Sequence, residues 1–301
     1  MTTDTAPISE ARQQALSKAI NRSERGRLFA LLFPGLFWLS VFFAFPLFVI
    51  LLYSFLTPGP TGNVIWKFTL GNYATLFTKD LYVNAYVRSL WIGVMTTVVC
   101  LLIGYPLALY IVQRSPRWRN VLLFLVLIPF WTNFLVRTYA WMIILANNGV
   151  INSLLQSIGM PRLTLLNTTG AVLVGLIYGE LPFMVLPIYA SIDRFDFTLL
   201  EAASDLGADR RRAFLRIMLP LTMPGVAAGS VLVFIPTVGQ FVVSDLLGGA
   251  KVDMLGNLLQ RLFTRSNPPN WPLGSAMALI FMLVLTIAII FYFRTTTEED
   301  R

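Results

Sequence analysis

The chain has 301 residues, 56% of them apolar and 13% charged, where a soluble domain is nearer one quarter charged. With a mean hydropathy of +0.70, this composition excludes an ordinary soluble globule and points to a membrane protein. The formal charge of +8 then reads as Lys and Arg held at one membrane face, not as a nucleic-acid surface. A single cysteine rules out an intrachain disulfide and a cysteine metal cluster, and the lack of histidine removes His-ligated metals and His-based acid–base chemistry.

Residues 1–27 are polar and read as a tail, since no short apolar core and cleavage site follow a brief basic start. Six apolar stretches follow, each near the ~20 residues that cross a bilayer. They run about Leu28–Phe55, Tyr86–Gln113, Asn120–Ala146, Thr169–Ile192, Leu221–Asp245 and Leu273–Phe293. A spanning backbone must satisfy its own hydrogen bonds, so all six are expected as helices of an all-α integral membrane protein. Pro34, Pro46, Pro106, Pro129, Pro182, Pro187 and Pro236 lie inside these spans and are expected to kink them. Between the last two spans, "MLGNLLQRLF" has helical spacing and "NPPNWP" stops it, which suggests a short interfacial or re-entrant helix. No internal repeat or second domain is visible.

Most Lys and Arg fall in the N-terminal tail, the loops after the second and fourth spans, and the C-terminal tail. That bias places those loops and both termini in the cytoplasm. The expected organisation is a cytoplasmic tail at residues 1–27, a transmembrane domain at 28–293 and a second cytoplasmic tail at 294–301.

The cytoplasmic loop before the fifth span reads "EAASDLGADRRRAFLRIMLPLTMPG". Leu199, Leu200, Ala203, Leu206 and Gly207 fall near one face of a first short helix, which Gly207 can end. Phe214, Ile217, Met218 and Leu221 continue at a 3–4 spacing. Arg210, Arg211, Arg212 and Arg216 can reach lipid phosphates, and Pro220 and Pro224 are expected to interrupt the backbone. Periodicity alone allows a hairpin resting on the membrane or a docking element for a partner. The small residues Ala202, Ala203, Gly207 and Ala208 and an acidic face favour docking.

This segment resembles the EAA motif of permease subunits in binding-protein-dependent ABC importers. The matching residues are Glu201-Ala202-Ala203, Gly207, Ile217 and Leu219-Pro220. The stretches "IPFWTNFLVRTYAWMIILANNGVIN", "LPFMVLPIYASI" and "SDLLGGAKVDMLGNLLQ" extend the likeness to permeases of spermidine/putrescine importers. The resemblance implies a six-helix permease of type I (MetI-like) architecture in a bacterial inner membrane. Its coupling loop, about 193–222, would meet the ATPase through Glu201, Ala202, Ala203, Asp205, Leu206, Gly207 and Ala208. Implied partners are a second related permease, two ATPase subunits, a soluble substrate-binding protein and membrane lipid, with no nucleic acid.

A polyamine calls for carboxylates and aromatic faces. Ionisable groups at membrane depth are costly and point to function. Glu180 and Asp245 are the acidic residues in or at the edge of spans away from the cytoplasm. With Trp131, Tyr139, Trp141, Tyr178 and Phe241 they form the candidate substrate path. Glu180 and Arg137 come out at similar depth, roughly 14–17 Å below the outer surface at ~1.5 Å per residue, so Glu180 pairs with Arg137 or lines the path. Asp245 is a pathway residue or a solvated helix end.

The pattern G-x-x-x-x-G-K-[S/T] is absent. The chain is therefore expected to hold no cofactor, no metal and no catalytic residue, with ATP and Mg bound by the partner ATPase. The alternatives are a permease for another small cation, such as an opine or amino-acid derivative, or a stand-alone secondary transporter or channel.

Overall fold

The computed structural model describes residues 31–298. The tail expected at residues 1–27 lies outside the described residues, as does the end of the expected C-terminal tail. Six helices among the described residues are long and apolar enough to cross a membrane. The chain divides into two compact units, residues 1–53 and 54–301.

In the first unit, helix α1 (Leu31–Ser54) is apolar on all sides and contains a π turn at Ser40–Ala44. Its rings stack along the helix, Phe33 on Phe37 and Trp38 on Phe42.

The second unit opens with an antiparallel pair that the all-α reading did not foresee. β1 (Leu56–Pro58) and β2 (Val64–Phe68) pair Leu56 with Phe68 and Pro58 with Val64. A tight turn containing Gly62 at φ +84 joins them, a conformation that glycine adopts without a steric cost. The helices α2 (Gly71–Thr78) and α3 (Asp80–Val112) follow. Buried Asn72 donates to the carbonyls of Ser54 and Leu56 and ties α2 to the hairpin.

The third span was expected as one helix from Asn120 to Ala146. It is two, α4 (Pro116–Trp131) and α5 (Phe134–Leu145). Thr132 and Asn133 are extended between them. Asn133 Oδ1 accepts from the amides of Leu135 at 2.9 Å and Val136 at 3.3 Å. An asparagine that caps a new helix is a better partner for those amides than a helix carried past Pro129. A short helix, α6 (Val150–Ser157), comes next.

Helices α7 (Thr169–Asp193) and α9 (Arg210–Gly239) flank the short α8 (Thr198–Asp205). Contrary to expectation, Pro220 and Pro224 do not interrupt α9. A π turn at Phe214–Met218 precedes them, and such widening lets a helix run on past a residue with no N–H. The π turn also holds an extra residue, which rotates the apolar stripe read from the sequence. Met218 is buried and Leu221 is 56% exposed.

The segment after α9 turns back into the bundle. A π turn at Ser244–Gly248 leads to α10 (Leu255–Gln260), which a further π turn extends through Arg261–Arg265, and α11 (Trp271–Glu298) closes the chain. Met254 and Leu255 are fully buried, so α10 is packed inside and does not lie on the surface.

The core sits where α3, α7 and α9 meet, with Cys100, Ile111, Met184, Ile188 and Val233 at its centre. A β-carbon at Gly104 would sit 3.1 Å from Met184 Cγ, and one at Gly229 would sit 2.9 Å from Met184 Sδ. Small residues at these points let helices approach closely, and in lipid such packing is the main cohesive term. Tyr105 and Thr222 join α3 to α9 through a 2.9 Å hydroxyl pair.

Candidate functional site

The loop bearing the EAA residues is shaped by short-range bonds. Asp196 Oδ1 accepts from the Thr198 amide at 3.0 Å and its hydroxyl at 2.8 Å, fixing the start of α8. These bonds hold the Asp196 carboxyl below its ordinary value. At the other end, Ala208 N–H donates to Ala203 O and Gly207 N–H to Ser204 O, both at 2.9 Å. This is the Schellman arrangement, and Gly207 takes its left-handed position at φ +85. Nothing lies within 4 Å of where a β-carbon would stand at Gly207, so the backbone conformation, not space, calls for glycine. Asp209 Oδ1 then caps α9 by accepting from the Arg212 amide at 2.7 Å.

Ala203 turns inward, while Glu201, Ala202 and Asp205 face out. Leu206 was expected to share a helix face with Leu199, Leu200 and Ala203. It is instead 90% exposed, because α8 ends at Asp205 and Leu206 is its C-cap residue. Leu200 and Phe197 pack on the core. A cleft of about 500 Å³ opens beside α8, lined in part by Pro187, Ser191, Phe195, Leu199, Leu221 and Pro224. A lateral tie reaches the start of this loop. Arg119 at the start of α4 meets Asp193 at 2.5 Å and the Val112 carbonyl at 2.7 Å, so the ends of α3, α4 and α7 converge on one guanidinium.

At mid-span, Trp141, Tyr178 and Glu180 gather around Arg137. Trp141 and Tyr178 rings are 5.5 Å apart at 73°. Arg137 makes no salt bridge with Glu180. It donates to the Pro129 carbonyl at 2.6 Å and stands 5.7 Å from the Phe134 ring and 5.9 Å from Tyr178. Glu180 Oε2 is buried without a hydrogen-bond partner among the described residues.

The remaining candidates lie elsewhere. Trp131 and Tyr139 are exposed on α4 and α5. Phe241 and Asp245 belong to the segment after α9. Asp245 is neither bare nor simply solvated: it pairs with Arg265 at 3.1 Å and accepts from Asn257 at 3.2 Å. Buried Asn257 also accepts from Ser244 and the Met254 amide and donates to the Phe241 carbonyl. Asp253 pairs with Arg261 through both its oxygens. Sequence reasoning missed Arg119, Asn257, Asp253, Arg261 and Arg265. Only the i, i+8 separation of Asp253 and Arg261 along one short segment hinted at any of these contacts.

Six membrane-length helices among the described residues, with a short helix exposed on the loop before the fifth, mark a multi-pass membrane protein. The chain belongs to the family of binding-protein-dependent transport system inner membrane components, which it matches over residues 100–295. The spermidine/putrescine transport system permease protein PotB of Haemophilus influenzae is 42% identical over 286 residues, covering 94% of this chain and 98% of that protein. PotB of Escherichia coli K12 is 41% identical over 261 residues, covering 86% and 94%. Among solved structures, a bacterial ABC transporter that imports the acidic polysaccharide alginate has a TM-score of 0.74 at 21% identity, covering 94% of this chain and 99% of its own. The inward-facing methionine ABC transporter MetNI has a TM-score of 0.55 at 17% identity, covering 73% and 96%. These likenesses to solved structures bear on fold alone.

Proposed function

We propose that this chain is the permease of an ATP-driven polyamine importer, coupled to cytoplasmic ATPase subunits through α8. Support for the solute comes from the PotB relatives, which match nearly end to end, and from the aromatic and carboxylate groups of α5 and α7. The observation that carries the coupling assignment is the form of α8. Short-range bonds define both of its ends, yet Leu206 and the acidic face of Glu201 and Asp205 remain uncovered. An exposed leucine beside small residues suits insertion into a partner's pocket.

In this reading a second permease completes the path, a soluble protein delivers the solute outside, and both termini lie with α8 in the cytoplasm. The chain itself performs no hydrolysis; two partner ATPases bind ATP and Mg. Their closure pushes α8, and α7 and α9 carry the movement into the membrane. Alternating access of this kind needs two states separated by a few kcal/mol.

The test is reconstitution with the ATPase, the second permease and the binding protein. ATP-dependent uptake of labelled spermidine or putrescine is expected. Uptake without the ATPase would instead mark a stand-alone transporter, and competition by an opine but not by polyamines would mark another cation. Leu206→Asp and Glu201→Lys should each weaken ATPase co-purification about tenfold or more while leaving thermal unfolding unchanged. Normal assembly by both variants would remove α8 from the coupling role.

A further inference from the structure

The break between α4 and α5 leaves α4 ending in unpaired carbonyls within an apolar span. Such an end carries partial negative charge, and at membrane depth it must be met by a donor or a cation. Two donors converge on the Pro129 carbonyl: Thr132 Oγ1 at 2.7 Å and Arg137 Nη1 at 2.6 Å. The guanidinium also faces the Phe134 and Tyr178 rings and rests against α7, where a β-carbon on Gly179 would lie 3.5 Å from Nη2. The next residue, Glu180, keeps a buried oxygen with no hydrogen-bond partner among the described residues. A helix-end carbonyl, aromatic faces and an uncommitted carboxylate oxygen together make a site for an alkylammonium or guanidinium ion.

We propose that this is a cation-binding site whose resident cation is the Arg137 side chain, and that a substrate ammonium group occupies it when Arg137 moves aside. The inference rests on the polyamine reading above and adds an exchange to it. Glu180 then has a cation near it before, during and after passage, so the carboxylate is never left alone in the bilayer, while the displaced guanidinium must turn to water or carbonyl oxygens along the path. Arg137 is long enough to release the Pro129 carbonyl while its stem stays packed. The ligand class is a primary ammonium on an aliphatic stem, with the rings covering the methylenes; neutral and anionic solutes gain nothing from it.

The test uses the assembled importer in lipid nanodiscs, with n-propylguanidinium chloride as probe and n-propylurea as its neutral control. In Arg137→Ala the vacated site should take the probe. At about 10 mM it is expected to raise the unfolding midpoint by about 2–4 °C and to slow polyamine uptake several-fold. The wild type and the double variant Arg137→Ala/Glu180→Gln should not shift, and n-propylurea should do nothing to any of them. If the wild type takes up polyamine but the probe neither stabilises nor inhibits Arg137→Ala, the inference fails alone. Stabilisation without inhibition also overturns it, since the site would then lie off the path. A wild type that takes up no polyamine overturns the underlying reading instead. Should Arg137→Ala not assemble, Arg137→Met, which keeps the stem, carries both measurements.

Discussion

The loop between α7 and α9 and the segment between α9 and α11 both interrupt the march of spans, yet they hold their shapes by opposite means. The first relies on bonds between near neighbours: Asp196 with Thr198, Ala208 with Ala203, Asp209 with Arg212. The second relies on distant ones. The Leu255 amide donates to Ser89 Oγ across 166 residues, and Asn257 bonds to Ser244, Phe241 and Asp245. Local capping fixes a backbone without covering it, which suits a surface meant for another molecule. A tertiary network fixes a backbone by burying it, which suits a piece that seals a bundle.

Breaking the buried network should have the largest effect. Asn257→Leu leaves the Met254 amide without its partner and takes one bond each from Ser244, the Phe241 carbonyl and Asp245, and a loss of about 2–4 kcal/mol is expected in thermal or denaturant unfolding. A loss below about 1 kcal/mol would mean that α10 is held by apolar contacts and not by this side chain. The exposed loop should respond differently. Gly207→Val imposes a left-handed conformation worth about 1–2 kcal/mol of strain, which local fraying can relieve. Co-purification of the ATPase should fall while the global unfolding midpoint hardly moves, and Gly207→Asn, which tolerates that conformation, should recover most of the association. Equal losses in both readouts would erase the contrast.

Arg119 sharpens the comparison, because it is the side chain that gives the loop a long-range tie. Both partners are part-exposed, at 28% and 37%, so Arg119→Gln should cost only about 0.5–1 kcal/mol of stability. Uptake per ATP hydrolysed is the more sensitive readout, and it should fall if α4 shares the movement of α7. The smallest effect concerns pH. The Asp196 carboxyl is held below its ordinary 3.8, so its bonds contribute above that value and are lost as pH falls through the lowered one. The protection factor of the Thr198 amide should be flat from about pH 7 to 5 and drop only below about 4. A decline near pH 6 would point to another titrating group.

How much was legible in the sequence follows the same division. The six spans and the stop of α8 at Gly207 are written in residues a few positions apart, and reading them required no tertiary contact; the cap at Asp209 was passed over, because Asp209 was counted on the polar face of α8. Leu206 was misplaced because an ideal helix was extended from its last residue, Asp205, through its cap. The stripe from Phe214 to Leu221 was misread because a π turn leaves no periodic trace. The break at Thr132–Asn133 was hidden inside an apolar run, although Pro129 and a capping asparagine marked it. The pairing of Asp245 with Arg265 was not readable, since nothing in composition says which loop residues fold back together.

The π turn at Phe214–Met218 carries a mechanical implication. It contains one residue more than an ordinary helical turn, worth about 100° of rotation and 1.5 Å of rise. α9 runs unbroken from the loop to Gly239 on both sides of it. Passing that surplus residue along the helix would turn Arg210–Ala213 relative to the membrane portion without breaking the rod. The joint between that loop and the membrane portion of α9 is thus shaped like a screw thread, in which a small axial displacement and a large angular one would be the same event.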